Sequence, residues 1–391
     1  MNSTDTKPGR HVAPAGMAAR VFLAFLATAG FFYVNLMPAI VDGLIEGLGF
    51  TNQQAGAVGS ANIYGAAFGA LAIVFVVRRL RWKTAATVLL GLLIGIDLAS
   101  LAVTEPTTLT ALRFGHGFVG GMLIGTAFAV IARTEQPDRT FGVLLFVQFG
   151  LGGLGVMFLP GLVPVLGTPV LFLSLVAFSG VTLAMLPFLP PYPVAIPGAT
   201  DAPAPRIPRV PLTLTLAALF LFQAANMGLY AYIIGLGTHY GLERTFITTA
   251  LGFSAWLGLA GAGLVIVFAN RLGYTRSLVA GIGVTILATA ALLRSDIPAL
   301  FFAVNALIGI TWAFTIPYLL GLAARFDKTG TMAALGGFAS KMGLASGPAV
   351  AAGLLGDNRY ALLIWTACGA LLLCQAVVLI PARLIDARHS D

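Results

Sequence analysis

The chain has 391 residues, of which 58% are hydrophobic and only 9% charged, with a formal net charge of +8 and a mean hydropathy of +0.95. A soluble domain carries about 25% charged residues, so this composition excludes a water-soluble enzyme or binding module and indicates an all-α, polytopic membrane protein. The positive charge is spread through the loops by membrane side, so it is no nucleic-acid footprint.

Residues 1–18 are polar, contain Lys7 and Arg10, and read as a cytoplasmic tail. The first apolar run, Val21–Val41, is too long for a cleaved signal peptide and reads as a retained helix. Apolar runs then recur between short polar or Pro/Gly breaks and predict helices at about 19–42, 52–77, 84–104, 107–132, 139–163 and 167–190. The proline-rich stretch 191–211, with Arg206 and Arg209, cannot continue a helix and reads as a linker. Six more helices are expected at about 212–236, 246–269, 275–294, 298–323, 330–356 and 359–384, followed by a short tail, 385–391. The predicted architecture is therefore twelve transmembrane helices in two six-helix bundles, 19–190 and 212–384.

The tails and alternate loops hold most of the basic residues, among them Arg78, Arg79, Arg81, Lys83, Arg133, Arg139, Arg271, Arg276, Arg325 and Lys328. The opposite loops hold Arg244, Arg294 and Arg359. The basic side is expected to be cytoplasmic, with both termini and the linker on it, in a bacterial inner membrane. The halves also echo each other. Arg79-Leu80-Arg81-Trp82-Lys83 follows the second helix, and Arg271-Leu272-Gly273-Tyr274-Thr275-Arg276 follows the eighth. Duplicated halves mark transporters, whose substrate site lies near the midplane between them.

Six plus six helices, a cytoplasmic linker and this repeated basic loop resemble the major facilitator superfamily. Asn270-Arg271-Leu272-Gly273 keeps the R-x-G core of that family's loop, with asparagine where the family usually has aspartate; Arg113-Phe114-Gly115-His116-Gly117, in the fourth helix, is similar to its R-x3-G element. The resemblance implies a secondary transporter whose first, fourth, seventh and tenth helices line the cavity. Gly343-x3-Gly347-Pro348-x4-Gly353 looks like the family's antiporter motif but falls in the eleventh helix rather than the fifth. It reads as a bendable, close-packed helix.

The polar residues inside the membrane are the candidates for function. Lys341 lies near the middle of the stretch Thr331–Leu355, where a cation costs roughly 3 kcal/mol on insertion scales. It either faces an aqueous cavity and meets an anion, or is a structural lysine paired with a buried acid or carbonyls. Asp97 and Arg113 lie at one depth on consecutive helices and either pair, or leave Arg113 to bind an anion or a proton-linked acid. His116 is placed to relay a proton or is structural. Asp42 is an outer gate or a solvated helix end. Gln223, Asn226 and Tyr230 share a face of the seventh helix. Asn305 and Trp312 lie on the tenth, Tyr33 and Asn35 on the first.

Two functions compete. One is a secondary transporter of a small organic anion, a carboxylate by preference, driven by protons, with Lys341, Arg113, Tyr33, Asn35, Gln223, Asn226, Tyr230, Asn305 and Trp312 binding substrate and Asp97, His116 and Asp42 coupling or gating. The other is a proton-coupled exporter of hydrophobic drugs or metabolites, which would favour an acidic cavity residue. No cofactor or metal is expected, the bilayer is the surrounding partner, and the expected state is monomeric. An enzyme is disfavoured, because no nucleophile–base constellation, Walker motif or His/Cys cluster is visible.

Overall fold

A computed structural model describes residues 11–75, 81–192, 209–268, 273–325, 331–356 and 358–387. Arg78, Arg79, Lys328, the Asn270–Leu272 part of the repeated loop, the linker over 193–208 and the tail ends 1–10 and 388–391 lie outside them.

The helices of the first half are α1 (Met17–Asn35), α2 (Met37–Leu48), α3 (Asn52–Val74), α4 (Trp82–Ser100), α5 (Pro106–Ile131), α6 (Pro137–Leu166) and α7 (Pro169–Met185). Those of the second are α8 (Arg209–Ala231), α9 (Ile233–His239), α10 (Arg244–Phe268), α11 (Gly273–Ala291), α12 (Pro298–Ala324), α13 (Thr331–Leu355) and α14 (Tyr360–Ala387). Local chemistry sets several ends. Thr51 and Gln54 form a reciprocal capping box at the start of α3. Glu105 caps α5 by accepting from the Thr107 and Thr108 amides at 2.9 and 2.5 Å. Those bonds, that from Thr108 first, hold its exposed carboxyl down at about 2. Pro106, Pro137, Pro169 and Pro298 sit in first turns, where a missing N–H costs nothing.

Two of the twelve crossings are broken, and they occupy matching places in the halves. The predicted first helix ends neither at Asn35 nor at 42: it breaks at Leu36 and resumes as α2 as far as Leu48. Pro38 cannot donate its backbone bond, which explains the break. The predicted seventh helix breaks likewise at Tyr232, between α8 and α9. With twelve crossings, α1 begins and α14 ends on one face, called here the termini face; the other is the distal face.

Packing repeats between halves. On the α3–α5 contact a Cβ at Gly65, Gly69, Gly117 or Gly121 would overlap a carbonyl of the facing helix, so these backbones touch. Gly261 of α10 meets the Ile310 carbonyl of α12 in the same way, and Gly343 and Gly347 of α13 press on the Phe220 and Ala224 carbonyls of α8. The halves meet along two seams, α3 on α13 and α6 on α10. Tyr64 Oη and Ser346 Oγ lie 2.7 Å apart across the first, and Trp256 Nε1 donates to the Gly150 carbonyl at 3.1 Å across the second.

Among the described residues, eleven helices or helix pairs are long and apolar enough by composition to cross a membrane. The remaining crossing, α13, carries Lys341 near its middle among serines, glycines and Pro348.

Candidate functional site

A cavity of about 570 Å³ lies between the halves. Its walls come mainly from α1, α6, α8, α10, α12 and α13, with Ile233 from α9, Leu292 after α11, and Phe128 as the single α5 residue among those described. Sequence reasoning expected α5 to be a principal wall. Instead its glycine stripe presses it onto α3, away from the space.

Lys341 lines the cavity, its Nζ 4.9 Å from the centre of the Phe31 ring. Among the described residues no carboxylate lies within ion-pair distance of it. Helix geometry accounts for its aim: Lys341 precedes Gly343 by two residues, about 200° around the helix, so it points away from the face that packs on α8. Beside it Ser340 accepts from Gln223 Nε2 at 2.7 Å, and Gln223 Oε1 accepts from Trp312 Nε1 at 2.7 Å. The rings of Trp312 and Tyr230 meet edge to face at 6.0 Å. Tyr230 Oη donates to the Asn35 carbonyl at 3.4 Å, which links the neighbourhoods of the two helix breaks. Asn35, Asn226 and Asn305 complete the polar wall. The rest is apolar and aromatic, with Phe128, Phe141, Pro317 and Leu320 toward the termini face.

Two expected substrate residues are elsewhere. Arg113 is fully buried in the first half and donates to Asp97 Oδ1 at 2.7 Å, to the Ile96 carbonyl at 3.3 Å and to Ser100 Oγ. Its guanidinium packs over Phe172 at 4.9 Å and Tyr33 at 5.9 Å. Tyr33 is 1% exposed and belongs to this cluster, not to the cavity. Between the two readings of Arg113, the structure has the ion pair.

His116 joins the same cluster. Asn62 Nδ2 donates to the Arg113 carbonyl at 3.2 Å and lies 2.9 Å from His116 Nδ1. A carbonyl only accepts, so the Asn62 amide cannot be turned over, and His116 Nδ1 must be the acceptor. Its proton is then on Nε2, 3.3 Å from Asp97 Oδ2. That oxygen, Arg113 Nε and Tyr33 Oη have no aligned hydrogen bond.

Asp42 is 8% exposed, so it is no solvated helix end. It pairs with Arg244 at the start of α10, across the halves and near the distal face. Tyr232 Oη donates to the Asn52 carbonyl at 2.7 Å, and Asn52 Nδ2 to the Gly356 carbonyl at 3.5 Å, in the same region. Arg244 was read from sequence only as a loop cation. Nothing in one sequence says which distal acid it meets. No grouping of His, Cys, Asp and Glu among the described residues could hold a metal ion.

Residues 21–352 match the sequence profile of the Major Facilitator Superfamily. The chain belongs to this superfamily. Family and fold make it a membrane transporter. Two solved structures are similar: a mutant of the nucleoside transporter NupG, at TM-score 0.72 and 14% identity over 93% of this chain and 99% of that one, and NupG itself, at TM-score 0.70 and 14% identity over 92% and 98%. At that identity the likeness is one of fold. No curated protein sequence matches the chain.

Proposed function

We propose that the chain is a secondary transporter that moves a small organic anion, with a carboxylate as the charged group, by alternating access and with proton coupling. The observation that carries this reading is Lys341 in the wall of the central cavity with no carboxylate beside it among the described residues. An ammonium so placed near mid-membrane is stabilised by an anion that arrives from solution. The aromatic and amide wall accommodates an organic body around that group. A drug exporter would take its cations on a cavity acid, and the deep acid Asp97 is sealed away with Arg113.

The termini face is the cytoplasmic one in this reading, from the bias of loop cations. The cavity then faces the cytoplasm, and the Asp42–Arg244 pair is part of a closed outer gate. Proton linkage falls to His116 and Asp97.

Binding of carboxylates, nucleosides and cationic dyes to the purified protein tests the reading through ligand-induced thermal stabilisation. Carboxylates are expected to stabilise it. Lys341→Gln should weaken their binding by about 10- to 1000-fold, a few kcal/mol of charge attraction less the desolvation of the ligand, and should leave the fold intact. Uncharged nucleosides binding as well to Lys341→Gln as to the wild type, with no carboxylate bound by either, would overturn it.

A further inference from the structure

The polar wall of the cavity has a direction as well as a charge. Asn35 Nδ2 donates to the Gln148 carbonyl at 3.3 Å, Asn226 Nδ2 to the Phe222 carbonyl at 2.8 Å and Asn305 Nδ2 to the Phe301 carbonyl at 2.8 Å. Backbone carbonyls only accept, so all three amides are fixed with one N–H engaged, which leaves Oδ1 and the second N–H. All three residues line the cavity, and none of the three Oδ1 atoms accepts a hydrogen bond among the described residues. Asn226 Oδ1 and Ser254 Oγ are buried without a partner among the described residues and lie behind the cavity surface, so Asn35 and Asn305 are the amides that a ligand meets. Gln223 differs, because both ends of its amide are already used on Trp312 and Ser340.

The wall therefore offers one ammonium and the fixed amides of Asn35 and Asn305, each with an Oδ1 acceptor and one N–H to spare. A bare carboxylate on a hydrocarbon skeleton would answer Lys341 and leave the acceptors unpaired in a dry site, which is penalised. A ligand with an O–H or N–H on its skeleton pairs them.

We infer that the transported anion carries hydrogen-bond donors, hydroxyl or amino groups, on its skeleton, and that the oriented Oδ1 atoms of Asn305 and Asn35 select for them. This rests on the anion reading of Lys341. Sites built to pair a ligand hydroxyl or amine discriminate strongly against the analogue that lacks it.

The test compares acids of one skeleton on the purified full chain: phenylpropionate, its ring-hydroxylated analogue, phenyllactate and phenylalanine. The first has no donor on the skeleton; the others place a hydroxyl far from the carboxylate, a hydroxyl beside it, and an ammonium beside it. At least one donor-bearing acid is expected to bind about tenfold more tightly than phenylpropionate, the worth of one well-made hydrogen bond. That preference should disappear in Asn35→Leu or Asn305→Leu. Equal affinity for all four acids in the wild type overturns the inference, whether or not the variants fold, and so does a preference that survives both substitutions. If the wild type binds none of the acids and nucleosides bind Lys341→Gln undiminished, the anion reading itself has failed, and this inference falls with it.

Discussion

Arg113 and Asp97 are both 0% exposed, so removal of either leaves the other a buried charge without its ion-pair partner. Arg113→Met leaves a buried carboxylate with no counter-charge and should cost about 3–5 kcal/mol, whereas pairing it with Asp97→Leu should restore most of that loss. Thermal unfolding of the two single variants and the double variant measures the cycle, and additive losses would contradict the pair. The equal depth of the two residues was readable in the sequence. Which way Arg113 faces was readable too, through a signal left unused. Arg113, Gly117 and Gly121 fall on one stripe of α5, and a stripe of glycines marks a contact between helices rather than a cavity wall. The offset of Lys341 from Gly343 carries the opposite message by the same rule. The cavity asparagines were legible as polar residues on inward faces. The direction of their amides was not, because it depends on which carbonyl each NH2 finds.

At the scale of the element, two glycines of α5 should behave oppositely. A Cβ at Gly117 would overlap the Asn62 carbonyl, while one at Gly115 meets nothing within 4 Å. Gly115→Ala should therefore express and unfold like the wild type, slightly favoured by helix propensity. Gly117→Val should push α3 away, break the Asn62–His116 contact and lower the yield of folded protein, as size-exclusion profiles would reveal. A folded, unperturbed Gly117→Val protein would mean that the α3–α5 contact is looser than described. The paired breaks show what periodicity can and cannot disclose. Pro38 announced the first. The second, at Tyr232, has no proline, and the apolar pattern runs through it unbroken.

At the scale of the molecule, hydropathy and loop charge sufficed for the twelve crossings and the two halves, since burial in lipid leaves helices few alternatives. They could not tell which side chains meet across the halves at the ends of the cavity, because that depends on how the two bundles pack. The Asp42–Arg244 pair gives a measurable consequence. Arg244 is 30% exposed, so the pair is worth about 1 kcal/mol, enough to change a two-state ratio about fivefold. Arg244→Gln should raise labelling of a cysteine at Asn35 by an impermeant thiol reagent from the distal side several-fold; an unchanged rate would remove the pair from the gate. Cysteines at Ser3 and Ser390 should both resist that reagent in intact cells, and labelling of both would invert the orientation.

Lys341 bears on how the protein is made. It adds roughly 3 kcal/mol to the transfer of α13 into lipid on its own. The chain runs through α8 before α13, and α8 presents the Phe220 and Ala224 carbonyls that receive Gly343 and Gly347. An earlier helix is then expected to receive a later one. A reporter fused after Leu355 should fail to cross when α13 is the sole segment, should reach its native side when α8 to α12 precede it, and should cross with α13 alone once Lys341→Leu is introduced.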